Sequence, residues 1–450
     1  MVEIRELVVR MNEWWRTGMV REDLARKHKR DVFYKILEHL DARQIIVITG
    51  LRRTGKTTMM YQIIEHLIGK GIDPKRILYF SFDEETAREP DAIENAIRAH
   101  AELALKDKEK NAYVFFDEVQ YIDGWQAVLK RYYDMNLGIK FFVSGSASLF
   151  IKKKSRESLA GRVYEFVLRP MTFREFLRMR GFEKVPEKAL LSWGAVKSAA
   201  SELEIYKEEL QLLFHNYVTN GGFPENLAEV SLDRIHEYVK SSVTDRIIYH
   251  DLPAVFKVRQ PSALLEMMKM FAAQPCGIVE YGNLADALKI SKPSASNYVS
   301  YLEESFLVRV LRNYTGSYEA GARKAKKVCL ADHSIGCALI GMNEEMFRGE
   351  NLGKIVESMV VNHVQPDNFW RERKYEVDAV IRTREGFLPI EVKYKERIQN
   401  SDLEGLARFI KKRGAKKAIV VTKGTLKRDG TVLFVPAYVF LACDFDFNRI

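Results

Sequence analysis

Apolar and polar positions along this chain change their period in blocks. The first forty residues carry a helical pattern. Gln44-Ile45-Ile46-Val47-Ile48-Thr49 then forms a short, β-branched apolar run, the pattern of a strand buried on both faces. Further strand candidates of this kind are 77–82, 113–116, 141–143 and 163–168, and helical stretches separate most of them. That alternation predicts an α/β domain with a parallel sheet. From about 172 to 260 the strand signals stop, and the chain reads as helices broken at Asn220-Gly221-Gly222-Phe223-Pro224. Residues 261 to about 345 read as a compact helical unit with a short β end. From about 350 the pattern is helix, three strands, helix and strand. The changes predict four domains, at 1–172, 173–260, 261–349 and 350–450.

Composition narrows this little. The 450 residues are 47% apolar and 29% charged, as in globular chains. Four cysteines without a CxxC pair exclude a disulfide framework and a zinc knuckle. The longest apolar run, 432–443, contains Pro436 and is too short to cross a bilayer, which takes about 20 residues. The first six residues carry charge where a secretory signal needs an apolar stretch. A soluble, cytoplasmic protein without a membrane partner is expected. Charge changes the picture more. Of a net +10, residues 351–450 hold +6, much of it in Lys411-Lys412-Arg413, Lys416-Lys417, Lys423, Lys427 and Arg428. Nucleic acid is the simplest anionic partner for that end, and a solvated helix face with a basic turn is the alternative.

The stretch after the first strand carries specific chemistry. Gly50-Leu51-Arg52-Arg53-Thr54-Gly55-Lys56-Thr57 fits G-x-x-x-x-G-K-[ST], and Thr58 continues it. Glycines let the backbone curl so that its N–H groups converge on phosphate oxygens. Lys56 would reach the β/γ-phosphates of ATP, Thr57 would ligate Mg²⁺, and the helix beginning there would point its positive end at the same phosphates. A second strand, 113–116, runs into Asp117 and Glu118 at its C-terminal end, the edge where ligands bind in open α/β sheets. Asp117 would hold the Mg²⁺ shell, and Glu118 would polarise the attacking water. The strand 141–143 ends in Ser144-Gly145-Ser146, where either serine can sense the γ-phosphate. Arg162 is a candidate for a transition-state contact in cis or in trans, or for a structural ion pair.

With these motifs in view, the chain resembles a prokaryotic, archaea-rich ATPase family related to AAA+ proteins, marked by a "GLRRxGKTT" loop. The resemblance extends to Lys29-Arg30-Asp31-Val32-Phe33, Tyr79-Phe80-Ser81-Phe82-Asp83-Glu84, Leu159-Ala160-Gly161-Arg162, Pro170-Met171-Thr172-Phe173-Arg174-Glu175-Phe176 and Gly221-Gly222-Phe223-Pro224-Glu225. Ser144 stands where members of the family often carry Thr. The resemblance implies an α/β multi-domain protein: a P-loop NTPase (AAA+-like) parallel sheet, a helical lid, a winged helix and a C-terminal restriction-endonuclease-like α/β domain of the PD-(D/E)XK type. It leaves a homo-oligomer open.

Two further stretches suit those domains. Residues 283–288, a turn with Ser291 as N-cap, and a second helix from Lys292-Pro293 to Glu304 read as a helix-turn-helix. Arg323, Lys324, Lys326 and Lys327 follow where a wing would contact phosphates, although such units also serve as protein contacts. In the last domain Glu357 lies on a helix, Asp378 on an alternating strand, and Glu391 and Lys393 on the next strand, on one face. Antiparallel pairing brings Asp378 beside them. Asp378 and Glu391 could chelate a divalent metal, Glu357 could complete its shell, and Lys393 could orient a water or meet the phosphate. Alternatively, Lys393 neutralises the carboxylates and the domain is inert. The expected function is an ATP-hydrolysing, DNA-associated protein whose nucleotide state moves the lid and gates a metal-dependent nuclease-like domain. The alternative is a regulatory or interaction ATPase whose nuclease-like domain only binds nucleic acid or protein.

Overall fold

Five short apolar runs become strands β1 Ile45–Thr49, β2 Ile77–Ser81, β3 Ala112–Asp117, β4 Ile139–Ser144 and β5 Val163–Val167. They pair in parallel in the order β2-β3-β4-β1-β5. The computed structural model describes residues 2–105, 111–146, 159–186, 189–316, 324–343, 345 and 347–446. It divides into two compact units, Met1–Arg169 with Ala254–Lys257, and Pro170–Pro253 with Val258–Ile450.

In the first unit both faces of the sheet are covered. Ile45, Val47, Phe80 and Phe116 pack with Ile4, Ile93 and Leu129 on one side. Ile46, Ile48, Tyr79 and Phe142 pack with Phe33, Met59 and Ile63 on the other. Double coverage is why these strands are apolar at nearly every position. The edge strand β2 is closed by a side chain: Asn12 accepts from the Tyr79 amide (2.7 Å) and donates to its carbonyl (2.8 Å). An amide thus supplies the pairing a neighbouring strand would give.

The second unit is built on a nine-stranded mixed sheet. Its strands are β7 Gly277–Val279, β8 Val308–Asn313, β9 Lys326–Leu330, β10 Asn368–Glu372, β11 Tyr375–Thr383, β12 Gly386–Lys393, β13 Ala418–Thr422, β14 Lys427–Asp429 and β15 Val432–Pro436. A separate pair joins β6 Ala189–Leu190 to β16 Phe445–Asp446. The sheet order is β14-β15-β13-β12-β11-β10-β8-β9-β7, so strands of 261–349 and of 350–450 share one sheet. Their joint is short: β8 and β10 run parallel over two residue pairs, Arg312 with Asn368 and Asn313 with Phe369.

The helices of 173–220 also differ in placement from a separate lid. Phe173, Phe176, Phe214 and Tyr217 share one apolar core with Val356, Ile390, Val421 and Phe440. No break in that core marks 260/261 or 349/350. The run 432–443 is strand β15 followed by the buried helix Ala437–Ala442, and no helix is long and apolar enough to cross a membrane among the described residues.

Asp332 ties the glycine pair into this core. Its carboxylate accepts from the Gly222 amide (2.9 Å) and caps the helix His333–Ile340 through the Ser334 amide (2.9 Å). A Cβ on Gly221 would meet that carboxylate and the Ser334 side chain at about 2.5 Å, so the break at 220–224 is a docking site for Asp332. Two of the four cysteines, Cys276 and Cys329, are bonded to each other, while Cys337 and Cys443 are free and buried. A single bridge is still no framework, but composition alone gave no sign of it.

Asp332→Ala removes a buried acceptor shared by two segments. It should lower the stability of this unit by about 3 kcal/mol, read by urea unfolding. An unchanged midpoint would mean that the carboxylate is not what holds the loop.

Candidate functional site

Strand order builds the first site. The phosphate loop follows β1 and the carboxylates follow β3, and β4 lies between them. Gly50 leaves β1 at φ +145°, and a Cβ there would lie 2.1 Å from the Leu168 carbonyl oxygen, so only glycine fits. Arg53 and Gly55 also take positive φ, which curls the segment onto the start of the helix Lys56–Gly69. The Lys56 ammonium is buried and donates to the carbonyls of Gly50 (3.3 Å) and Leu51 (2.8 Å), inside the curl. Thr54 closes the loop on Leu51 (2.9 Å), and Arg52 donates to the Tyr121 hydroxyl (3.2 Å). Arg30 braces the loop from outside, donating to the carbonyls of Thr54 (3.2 Å) and Arg169 (2.8 Å).

Asp117 is the centre of this site. Its carboxylate accepts from the hydroxyls of Thr57 (2.6 Å), Tyr79 (2.9 Å) and Ser144. The Ser144 oxygen also accepts from the Glu118 amide (3.3 Å). Of the two serines, Ser144 is thus the one brought between the motifs, and Ser146 lies buried two residues on. Glu118 sits in the left-handed region at φ 54°, where the chain leaves β3 for the turn Val119–Tyr121. Burial raises its carboxyl above the usual range; Lys56 opposes that rise and Asp117 adds to it. The residues present fit a magnesium-bound nucleotide: a hydroxyl and a carboxylate meet at 2.6 Å beside a phosphate-type loop.

Arg162 is not brought there. It precedes Val163, which pairs with Ile45 at the beginning of β1, whereas Gly50 follows the other end. Five strand residues separate the two ends by about 16 Å. Arg162 instead forks onto Asp134 (2.9 and 3.3 Å), the ion-pair alternative.

In the second unit, β11 and β12 pair antiparallel with Ala379 opposite Ile390, which sets Asp378 opposite Glu391 as expected. Asp378 accepts from the Val392 amide (2.9 Å), and Lys393 donates to Glu391 (2.5 Å). The surprise is Lys327. It does not project from an exposed wing; it is 1% exposed, and its ammonium lies 2.5 Å from Glu357, 3.0 Å from Glu376 and 3.0 Å from Asp378. Lys326 is buried as well, Lys324 is exposed, and Arg323 falls outside the described residues. A divalent metal does not fit this cluster as it stands, because a cation already occupies it. No group of three or more His, Cys, Asp or Glu side chains is placed to hold a metal among the described residues. One side remains accessible: Glu357, Glu376, Glu391 and Lys393 line an open cleft of about 1060 Å³.

Charge inside the cluster is unevenly stabilised. Burial raises the carboxyls of Glu357 and Glu391 to about 8, and the Asp378 charge adds to both. Asp378 is lowered, against its burial, by Lys327 and then Lys393. Burial would lower Lys327, but Asp378, Glu357 and Glu376 together hold it well above the usual lysine value.

Comparison with known proteins gives three separate family matches. Residues 42–177 match a family model described as an AAA domain. Residues 211–346 and 352–439 match two models described as domains of unknown function, DUF8612 and DUF4143. An uncharacterized protein of Methanocaldococcus jannaschii is 28% identical over 377 residues, covering 80% of this chain and 76% of its own. A second from that organism is 25% identical over 418 residues, covering 89% and 85%. An uncharacterized protein of Haemophilus influenzae is 21% identical over 334 residues, covering 72% and 75%, so relatives occur in archaea and bacteria. Among solved structures, an Aeropyrum pernix Orc1 protein in complex with DNA has 14% identity and a TM-score of 0.30, covering 74% of this chain and 96% of that one. Cdc6p from Pyrobaculum aerophilum has 10% identity and a TM-score of 0.26, covering 73% and 99%. At such scores neither likeness carries weight for this chain. The AAA match and the parallel sheet carrying the phosphate loop define the first unit as an AAA+-like P-loop ATPase domain.

Four residues in these sites were missed in the sequence, among them Glu376, two places before Asp378 on the same strand. Arg30 and Tyr79 lay inside stretches noted only for resemblance. Lys327 heads the apolar run Val328-Cys329-Leu330, a signal of burial that its basic neighbours Lys324 and Lys326 obscured.

A carboxyl raised from 4.5 to about 8 on folding stabilises the fold below the lower value, and that contribution is lost as pH rises through the higher one. The melting temperature should therefore fall between these pH values, and Glu391→Gln should flatten the fall. An equal slope in the variant would mean that Glu391 is already ionised in the folded chain.

Proposed function

We propose that this protein binds ATP at residues 50–58 and hydrolyses it, and that turnover acts on a nucleic-acid-associated second unit whose carboxylate cluster does not cut in the arrangement described. The observation that carries the first part is the meeting of Thr57, Ser144 and Tyr79 on Asp117, with Glu118 one residue on. Mg²⁺ held by Thr57 and Asp117 would neutralise charge on the phosphates. Lys56 and the loop amides bind and orient them. Ser144 holds the Asp117 carboxylate and the Glu118 amide, so that Glu118 is fixed to accept a proton from the attacking water. Its proton affinity is raised, chiefly by burial, which favours proton uptake by a carboxylate.

Association with DNA is supported by an exposed basic face. Lys411, Lys412 and Lys416 are exposed on and after the helix Glu404–Arg413, although Lys412 is engaged by Glu372 (2.9 Å). A winged-helix reading is supported by the order of the helix Pro261–Ala273, β7, the helices Tyr281–Leu288 and Lys292–Glu304, then β8 and β9. Ser291 caps the second of that helix pair through the Ser294 amide (3.2 Å), leaving Lys292, Pro293 and Asn297 exposed. The ammonium of Lys327 among the carboxylates favours a regulatory or interaction ATPase. The open cleft beside Glu391 and Lys393 favours the second reading, a nuclease gated by nucleotide state.

Lys56→Ala should lose ATP binding, because it removes the charge facing the phosphates. Glu118→Gln should keep binding and lose turnover by about 100-fold. Nucleotide titration and phosphate release measure both, and wild-type turnover in Glu118→Gln would remove Glu118 from the reaction.

Affinity for duplex DNA should fall with rising salt, and reversing charge at Lys411, Lys412 and Lys416 should reduce the log–log slope by about 2 to 3. Fluorescence anisotropy at several salt concentrations measures this. An unchanged slope would make the basic face a solvated one.

A further inference from the structure

The carboxylates of the second unit come from three elements. Glu357 is on the helix Gly349–Val364, Glu376 and Asp378 are on β11, and Glu391 is on β12. Lys327 arrives from elsewhere, on β9, three places from β11 in the sheet. Its ammonium meets three of these groups within 3.0 Å and passes over the Phe369 ring at 6.0 Å. The fourth, Glu391, is 4% exposed. One of its oxygens is bound by Lys393, and the other is a buried oxygen with no hydrogen-bond partner. An acceptor left so is costly and marks a place where a donor or cation can still be taken.

We infer that Lys327 and a divalent cation are alternative occupants of this one carboxylate cluster, and that Lys327 holds it closed to metal in the arrangement described. The inference rests on reading the cluster as nuclease-like, and it names that cluster's regulation. Carboxylates gathered this closely repel unless a cation lies among them. An ammonium meets the need with hydrogen bonds, and a hard divalent ion meets it with direct oxygen ligation. The two cannot share the same oxygens. Lys327 is carried on β9, so the cation comes from a different segment from the carboxylates, joined to theirs by the β8–β10 pairing and by Asn362 donating to the Leu330 carbonyl (2.8 Å). The cleft already reaches Glu357, Glu376 and Glu391, so an ion has a way in.

The test uses the full chain without nucleotide and Mn²⁺ alone, with bound ion counted by electron paramagnetic resonance. Lys327→Met should take up one Mn²⁺ more than wild type, with an affinity about tenfold or more tighter at that site. Adding Glu391→Gln to the variant should abolish that ion. A folded Lys327→Met that binds no additional ion overturns the inference. So does a wild-type chain that already binds an ion removed by Glu391→Gln. If Lys327→Met unfolds in chelator, recovery of its circular dichroism by Mn²⁺ supports alternative occupancy, and failure to recover overturns it. Nuclease activity plays no part in these readings. A variant that binds Mn²⁺ and cuts no DNA keeps this inference while removing the nuclease reading, and the ATPase is tested separately at Lys56 and Glu118.

Discussion

An ammonium taken out of water must be met by acceptors, or the fold loses several kcal/mol. Lys327, 1% exposed, is met by Glu357, Glu376 and Asp378, and those partners come from a helix and a strand on the far side of the β8–β10 joint. This one cation therefore adds a buried charge link between the segments 261–349 and 350–450, beside the β8–β10 pairing and the apolar cluster of Leu311, Cys329, Val361 and Phe369. Glycine geometry does similar work at Asp332, which draws the loop at Gly221 and Gly222 onto the helix His333–Ile340. Such buried charges, shared between segments, add to the apolar core that already joins them.

The two carboxylate centres differ in the kind of partner each uses. Asp117 is held by three neutral hydroxyls, from Thr57, Tyr79 and Ser144, on three different elements. Neutral donors leave the negative charge available to a metal ion. Asp378 is held by an ammonium and a backbone amide, and its charge is already matched. Residue type alone would make both positions metal ligands. The partners divide them.

Much of the ATPase domain was legible in the sequence. Its five strands lie within two residues of the apolar runs that predict them, because strands buried on both faces have no polar position to confuse the pattern. The placement of Asp378 opposite Glu391 was legible too, since period-2 faces and a short hairpin fix the register. Lys327 was not. It lies 51 residues from Asp378, and spacing cannot reveal which distant strand folds over a carboxylate. Which alternative holds for Arg162 was not legible for a related reason: proximity in sequence to the last strand does not say which end of the sheet that residue occupies, and the structure shows its ion pair with Asp134. The helices of 173–220 read correctly as helices, but their apolar faces do not name the partner they pack against, which is the core of Val356, Ile390 and Phe440.

One diffraction experiment separates the two carboxylate centres directly. Crystals grown with Mn²⁺ and a non-hydrolysable ATP analogue would give an anomalous difference map covering the whole chain. The expected map has one manganese peak, between Thr57 and Asp117 beside the analogue's phosphates, and no peak among Glu357, Asp378 and Glu391, where the Lys327 ammonium remains. A peak within that second cluster, with Lys327 still in contact with Asp378, or no peak at Asp117, would contradict the division between a metal-using ATPase site and an ammonium-filled one.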